Sequence, residues 1–195
     1  MPDCSSSHPD ARPRARTPLL GWNSRAGRSP PISRLNWTEA ELGLTVRRGF
    51  STHWHDDRLG GAAVLDRRGI PFFAHPRTRA IAETEDLPIP APIADPAPGE
   101  TVAFGLVEIF YPGPGHTPDN TMIWLPEMHM LFGGCAVKSA AVAGLGYTGD
   151  ADLEAWPDAI ARAQSRYPEV EVVVPGHGAI GDAELLAHTR ALLGN

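Results

Sequence analysis

The chain has 195 residues, which fits one domain or one domain with an appendage, and 42% of its residues are apolar, enough to bury a core. The formal net charge of -6 and the absence of a basic stripe after residue 35 argue against nucleic acid as a partner. No stretch approaches the roughly 20 apolar residues of a membrane helix, and two cysteines do not suggest a disulfide scaffold.

The first 35 residues differ in composition from the rest of the chain. They hold six arginines against two aspartates, together with six prolines and six serines, and they have no helical or alternating apolar pattern. Such a segment is expected to be disordered, which predicts a leader over residues 1–35 and one domain over residues 36–195. The leader contains no apolar segment of 7–15 residues, so no signal peptide is recognised.

The first half of the domain is predicted to alternate between helices and strands. Thr38 is expected to cap a short helix that extends to residue 44, with Glu41 completing a capping box. The remaining predicted elements are a strand at 46–52, a helix at 60–68, a strand at 70–74, a helix at 76–85 and a surface loop at 88–99.

The second half has a more regular pattern. A hairpin or bulge is predicted around Gly105, between strands at 101–104 and 107–111. Further predicted elements are a strand pair at 122–125 and 129–132, a helix at 157–166, a buried strand at 170–174 and a closing helix at 182–193. This mixture of helices and strands indicates a layered α/β domain.

The segment after the strand at 46–52 contains an H-x-H-x-D motif. His53, His55 and Asp57 would project into one mouth if the motif lies where the chain leaves the sheet. Imidazole nitrogen and carboxylate oxygen are ligands that Zn²⁺ accepts, so the motif predicts a zinc site. The alternative from this motif alone is a histidine-rich surface loop.

Three further ligand-type residues stand beside glycines near strand ends, namely His116, Cys135 and His177. Glycines there allow tight turns and a close approach of metal or substrate to the backbone. Each signal is weak by itself, because a lone cysteine is often a core residue and a Gly-His-Gly sequence is often a turn. Taken together, six ligands suffice for two zinc sites with open positions for water, the arrangement of catalytic zinc. The other histidines lack such settings and are assigned to the surface or core: His8, His75, His129 and His188.

Four motifs together resemble the class B metallo-β-lactamases, specifically the subclass with a cysteine in its second zinc site. They are H-W-H-D-D-R from His53, G-H-T-P-D-N around His116, G-G-C-A-V-K around Cys135 and V-P-G-H-G around His177. The resemblance extends from Trp37 to the C-terminus and includes residues 149–157. The wider superfamily usually has histidine after the motif aspartate, where this chain has Arg58.

The resemblance implies a role for each matching residue. The first zinc would be held by His53, His55 and His116, and the second by Asp57, Cys135 and His177. Lys138, the only lysine in the chain, matches the family's lysine for the substrate carboxylate. Tyr147 stands where many relatives have an asparagine that assists the oxyanion, and it would donate from a different distance. Asp119 and Asn120 are expected to support the loop after His116.

The implied function is hydrolysis of the β-lactam ring of penicillins and cephalosporins, with carbapenems as a further class. Two Zn²⁺ ions would activate a bridging water as hydroxide, and Asp57 would help to orient it. The partner is a small-molecule β-lactam, the chain is expected to be a monomer, and the family implies a periplasmic location.

The implied fold is the α/β metallo-β-lactamase αββα sandwich with an incomplete first sheet. In the family, several strands and a flap hairpin precede the H-x-H-x-D motif, whereas only 52 residues precede His53 here and residues 1–35 show no strand pattern. An aberrant or truncated N-terminus is therefore expected. Two alternatives stay open: an inactive zinc-binding remnant, and a related metallohydrolase that acts on another ester, lactone or thioester.

Overall fold

The computed structural model describes residues 31–194, and it contains six α-helices, one 3₁₀ helix at Pro126–Met128 and eight strands in that range. The helices are α1 Pro31–Leu42, α2 Asp56–Leu59, α3 Ala62–Arg67, α4 Pro76–Thr84, α5 Trp156–Arg166 and α6 Glu184–Leu192. The strands are β1 Gly49–Ser51, β2 Phe72–Ala74, β3 Ala91–Pro92, β4 Glu100–Phe104, β5 Val107–Tyr111, β6 Met122–Leu125, β7 Met130–Gly134 and β8 Val172–Pro175.

The first helix differs from the prediction. Because α1 begins at Pro31, Thr38 lies inside the helix rather than at its N-cap. Pro31 occupies a position that tolerates proline, since the first turn of a helix leaves its N–H groups unpaired in any case. The helix includes the last five residues of the predicted leader, and residues 1–30 lie outside the described part of the chain.

The strands form two sheets of unequal size. The first sheet has the order β1-β2-β3, is parallel throughout and comprises only two or three residues per strand. The second sheet has the order β4-β5-β6-β7-β8, in which only the β7–β8 pair is parallel. Phe50 and Phe73 of the first sheet pack against Phe104 of the second, with ring centroids 5.6 and 5.2 Å apart. This is the predicted sandwich with a reduced first sheet.

The predicted hairpin around Gly105 is confirmed. Phe104 pairs with Val107, so Gly105 and Leu106 form a two-residue turn between β4 and β5. Gly105 has φ of 72°, which a residue without a side chain adopts at no steric cost. Leu106 is 91% exposed at the tip.

The main core lies between the second sheet and helices α5 and α6. α5 buries Trp156, Ala159, Ile160 and Ala163, a spacing that places one face of the helix on the sheet. The sheet supplies Phe110, Met122, Trp124, Leu131 and Val173, and α6 supplies Leu185 and Leu186. This packing holds the ends of β5, β7 and β8 in fixed positions.

Every ligand-type residue of the sequence motifs follows the C-terminal end of a strand. The H-x-H-x-D motif follows β1, His116 follows β5, Cys135 follows β7 and His177 follows β8. Thr121 joins the two sheets at this edge, because both its backbone N–H and its hydroxyl donate to the Thr52 carbonyl at 2.8 and 3.0 Å. The loops therefore converge on one edge of the sandwich. Within residues 31–194, no helix is long and apolar enough to cross a bilayer.

Candidate metal centre

The three imidazoles of His53, His55 and His116 form a compact triangle. Their ring centroids are 4.8, 5.1 and 5.0 Å apart, and each pair meets nearly edge to face. One ligand atom from each ring lies within 4.8 Å of the other two. His53 and His116 are buried and His55 is partly buried, so the triangle has one side open to solvent.

A second group lies directly beside this triangle. Asp57, Cys135 and His177 contact one another, with His177 Nε2 3.0 Å from Asp57 Oδ2, Cys135 Sγ 3.2 Å from Asp57 Oδ2 and Cys135 Sγ 3.3 Å from His177 Nε2. Ligand atoms of His53, Asp57 and Cys135 also lie within 4.8 Å of one another. Asp57 Oδ1 is 3.6 Å from His53 Nε2, so the two groups share an edge.

The side chains present fit zinc. Nε2 of His53 and Nδ1 of His116 are buried, and neither has a hydrogen-bond partner among the described residues. Buried polar atoms without a partner are costly, and coordination of a cation would satisfy them. Imidazole, carboxylate and thiol are together the ligand set that Zn²⁺ binds, whereas Mg²⁺ and Ca²⁺ prefer oxygen alone.

Burial keeps two histidines of the triangle, His53 and His116, neutral. It lowers the pKa of His53 well below the ordinary value, and it lowers the pKa of His116 to about 3, with the Lys138 charge adding to the effect. A neutral imidazole retains the lone pair that a metal ligand requires. His53 and His116 can therefore accept a cation at neutral pH without losing a proton.

The carboxylate and thiol of the second group differ in charge state. Burial opposes ionisation of Asp57, but the hydrogen bond to His177 and the charge of Arg58 outweigh it and lower the pKa of this carboxyl. Burial raises the pKa of the Cys135 thiol to about 12, partly countered by Arg58. Coordination of zinc by Cys135 would therefore release a proton, since zinc binds the thiolate.

Arg58 lies behind the second group and fixes its position. Its guanidinium donates to the Asp57 and Gly176 carbonyls at 3.0 and 2.8 Å and contacts Cys135 Sγ at 3.2 Å. A four-residue helix, α2, begins at Asp56 and presents Asp57 and Arg58 in its first turn. The sequence analysis did not predict this helix, because four residues carry too little periodicity.

The two predicted substrate contacts lie near the mouth of the centre. Lys138 is half-buried, and its ammonium is 5.1 Å from the centroid of the Trp156 ring. Burial lowers its pKa, and the nearby Cys135 and Asp57 oppose that shift. The ring of Tyr147 is 64% exposed and lies 5.8 Å from that of His55.

The loop after His116 is held by buried polar residues. Asn120 accepts from the Thr117 N–H at 3.1 Å and donates to the Gly113 carbonyl at 2.9 Å, which closes the loop on itself. Asp119 is fully buried and accepts a 2.6 Å hydrogen bond from Thr78 of α4. The expected supporting position of Asp119 and Asn120 agrees with these contacts.

Sequence reasoning missed two residues that contact the centre or its loop. Asp150 Oδ2 is 3.0 Å from Nε2 of His55, and Thr78 reaches Asp119 from another helix. These partners are 95 and 41 residues apart in sequence, and no local pattern marks them. The histidines assigned elsewhere fall where expected in the described range: His75 is buried, His129 is exposed and His188 is partly exposed.

A family model described as the metallo-beta-lactamase superfamily matches residues 39–177. A relative from Bacteroides fragilis, described as metallo-beta-lactamase type 2, is 33% identical over 82% of this chain and 64% of its own length. Another of the same description, from Bacillus cereus, is 42% identical over 73% of this chain and 56% of its own length. The chain thus covers less than two thirds of the length of these curated relatives.

Solved structures agree with the sequence relatives. A metallo-beta-lactamase from Pontibacter korlensis superposes with a TM-score of 0.78 at 42% identity, covering 87% of this chain and 79% of that structure. The family model's match over residues 39–177 includes the strand ends that carry the ligand-type residues, and Cys135 lies among those residues in the structure. The chain belongs to the metallo-beta-lactamase superfamily, among its class B metallo-β-lactamases.

Proposed function

We propose that the protein hydrolyses the β-lactam ring of penicillins and cephalosporins with two zinc ions. The observation that carries the proposal is the pair of donor groups that meet at one edge through His53 and Asp57. Two adjacent groups with three donors each leave coordination positions open, which distinguishes catalytic zinc from closed structural zinc. Carbapenems are a further proposed substrate class.

The residues of each donor group would hold one ion. The first would be bound by His53, His55 and His116, and the second by Asp57, Cys135 and His177. When bound, zinc supplies a Lewis acid that lowers the pKa of a coordinated water towards about 7 and polarises the lactam carbonyl. Hydrolysis then adds water across the carbon–nitrogen bond, so the carbonyl carbon gains oxygen and the ring nitrogen gains a proton.

Protein groups around the donors have their own roles in the proposal. Asp57 stays ionised, so its free lone pairs can accept a hydrogen bond from the attacking water and orient it. Arg58 keeps Asp57 and Cys135 in place from behind. Lys138 presents a positive charge near the centre, where it would bind the substrate carboxylate. The exposed ring of Tyr147 borders the same mouth and would contact the bound antibiotic.

The test is hydrolysis of a chromogenic cephalosporin by the purified chain, measured together with its zinc content. We expect about two equivalents of zinc and a turnover that a chelator abolishes and added zinc restores. His116→Ala should remove turnover and reduce bound zinc. The matched control is His129→Ala, because His129 is exposed and lies outside both donor groups.

Three other outcomes would contradict the proposal in different ways. Zinc without β-lactam turnover, together with hydrolysis of a lactone or thioester, would indicate a related metallohydrolase. Zinc without turnover of any substrate would indicate an inactive zinc-binding chain. Absence of zinc from a cooperatively folded chain would reject the proposed centre itself. The monomeric state and the periplasmic location remain predictions from family membership.

A further inference from the structure

Residues 140–147 form an exposed loop beside the metal centre, the mouth loop. It begins two residues after Lys138 and ends at Tyr147, whose ring lies 5.8 Å from that of His55. Three alanines and two glycines of the loop are exposed, so they contribute little packing of their own. The position of the mouth loop beside the centre therefore depends on contacts with the rest of the chain.

Few contacts hold the mouth loop. Between residues 140 and 146, Val142 is the one position whose backbone takes part in a hydrogen bond within the described chain. Its N–H donates to the Ser139 carbonyl at 3.2 Å, and its carbonyl lies 3.0 Å from Nε2 of His188. Leu145 adds apolar packing against the main core. The contact with His188 is thus the hydrogen bond that joins the loop to another element.

The chemistry of this contact fixes its direction. A carbonyl oxygen can only accept, so Nε2 of His188 carries the hydrogen and donates it to Val142. His188 lies in the middle of α6, and Leu185 and Leu186 of that helix are buried in the main core. The bond therefore ties an exposed loop to an element that the core holds in place.

The next residue of α6 holds the start of the same segment. Thr189 is fully buried, and its hydroxyl accepts from the Lys138 N–H at 2.9 Å and donates to the Leu185 carbonyl at 2.7 Å. A hydroxyl can do both at once, because it has one hydrogen and two lone pairs. Two adjacent residues of α6 thus bind the two ends of the segment from Lys138 to Val142.

We propose that His188 is a positioning residue for the substrate, because it fixes the mouth loop where the loop would contact a bound β-lactam. Thr189 fixes the backbone of Lys138 in the same way. The two residues act on different parts of the substrate: Thr189 on its carboxylate, through Lys138, and His188 on the rest of the molecule, through the loop. This inference rests on the proposed function and assigns α6 a part in substrate binding.

The test uses two pairs of variants in the full-length chain. His188→Leu removes the donor, whereas His188→Gln retains an N–H donor near the place of Nε2. Thr189→Val removes the hydroxyl, and Thr189→Ser retains it. His129→Leu is the control, because it makes the same change at an exposed histidine outside the segment. The measurements are kcat and KM for a cephalosporin and its carboxyl ester, zinc content, and circular dichroism to verify folding.

We expect His188→Leu to raise KM about 2–10-fold for the acid and the ester alike, the range that one neutral hydrogen bond supports. Turnover number and zinc content should change less, and His188→Gln should restore KM. Thr189→Val should raise KM for the acid more than for the ester, with recovery in Thr189→Ser. A merely structural role would reduce stability without this difference between the two substrates.

Limited proteolysis adds a measurement that does not depend on turnover. Elastase selects small side chains, which the mouth loop presents, and it cleaves segments that open locally. His188→Leu should be cut within residues 140–146 several-fold faster than the unmodified chain and the His129→Leu control. Faster cutting at that place supports the proposed attachment of the loop to α6.

Several results would overturn the inference. Unchanged KM and unchanged cleavage in His188→Leu would show that the bond does not hold the loop. Failure of His188→Gln to restore KM would mean that the donor is not the effective group. Loss of zinc from His188→Leu would place its effect in the metal centre instead. If the unmodified chain hydrolyses no β-lactam, the proposed function fails and the substrate role of His188 is rejected with it; failure of this inference alone leaves turnover intact.

Discussion

At the scale of single residues, the chemistry of the centre depends on close contacts around Cys135. The thiol lies against Gly176, whose hypothetical Cβ would be 2.5 Å from Sγ and 2.6 Å from the Cys135 backbone nitrogen. Backbone atoms cannot move aside cheaply, so position 176 admits only glycine while Cys135 keeps its place. The glycine in the motif is thus a packing requirement of the second donor group.

Gly176→Ala is predicted to weaken zinc binding at the proposed second site at least about tenfold, the lower end for disturbed ligand positions. The first site, which takes no ligand from the segments that carry Cys135 and His177, should be affected less. Zinc stoichiometry and competition with a chelator measure the effect. Gly144→Ala is the control, because a Cβ there meets nothing within 4 Å. Unchanged affinity in Gly176→Ala would show that Cys135 is not a ligand.

Lys138 gives a second prediction at this scale. Lys138→Met keeps the apolar stem and removes the charge, which is expected to raise KM about tenfold or more with kcat changed by less. The reason is that, in its proposed role, the charge would bind the substrate carboxylate equally in the ground and transition states. A cephalosporin and its carboxyl ester serve as paired substrates. Discrimination between them should shrink in the variant, and unchanged discrimination would remove Lys138 from substrate binding.

At the scale of elements, a buried hydrogen bond joins α4 to the loop that carries His116. Asp119 and Thr78 are both fully buried, and burial raises the pKa of the Asp119 carboxyl although Thr78 opposes the shift. Tyr111 of β5 adds a second connection by donating to the Pro118 carbonyl at 2.8 Å. The loop is therefore anchored to both layers of the sandwich.

Thr78→Val should destabilise the chain by about 1–3 kcal/mol, because Asp119 loses a donor in a site that water does not reach. Thr84→Val makes the same chemical change at the exposed end of the same helix. That control should stay within about 0.5 kcal/mol of the unmodified chain. Urea unfolding of both variants is the measurement. Equal stability of the two would mean that the Asp119 contact contributes nothing.

At the scale of the whole molecule, several buried histidines link stability to pH. His75 is fully buried, caps α4 by accepting from the Arg77 N–H, and contacts the ring of Tyr111 at 4.5 Å. Burial lowers its pKa, with Asp95 opposing the shift. A lowered histidine pKa means that the unfolded chain binds a proton below pH 6.5 before the folded chain does. The contribution of neutral, buried His75 to the free energy of unfolding is therefore fully present above pH 6.5 and is lost as the pH falls below it.

In the metal-free chain, His75→Asn should reduce the slope of unfolding free energy against pH below 6.5. The reduction is about 1.4 kcal/mol per pH unit at most, the value for one proton. Asparagine retains an acceptor for the α4 cap. Urea melts at pH 7.5, 6.5, 5.5 and 5.0 measure the slopes, with His129→Asn as control because His129 is exposed. Equal slopes in His75→Asn and the unmodified chain would contradict the prediction.

The sequence predicted the second sheet better than the first. Strands β4 to β8 and helices α5 and α6 agree with their predicted ranges to within about two residues, because their apolar patterns are long. In the first sheet, β1 retains only three of seven predicted residues, and β3 falls in a segment predicted as loop. Strands this short have too few residues for a periodic signal, and their existence depends on pairing with neighbours.

By itself, the sequence determined the family, the layered α/β class and the set of candidate ligands, since contiguous motifs of unusual residue types carry that information. Only the tertiary structure decided that the two donor groups share an edge through His53 and Asp57. It also decided which outer residues act on them: Asp150 meets His55 across 95 positions, and Thr78 meets Asp119 across 41. The physical reason is that such contacts arise from packing one loop on another, and packing leaves no periodic trace in either segment.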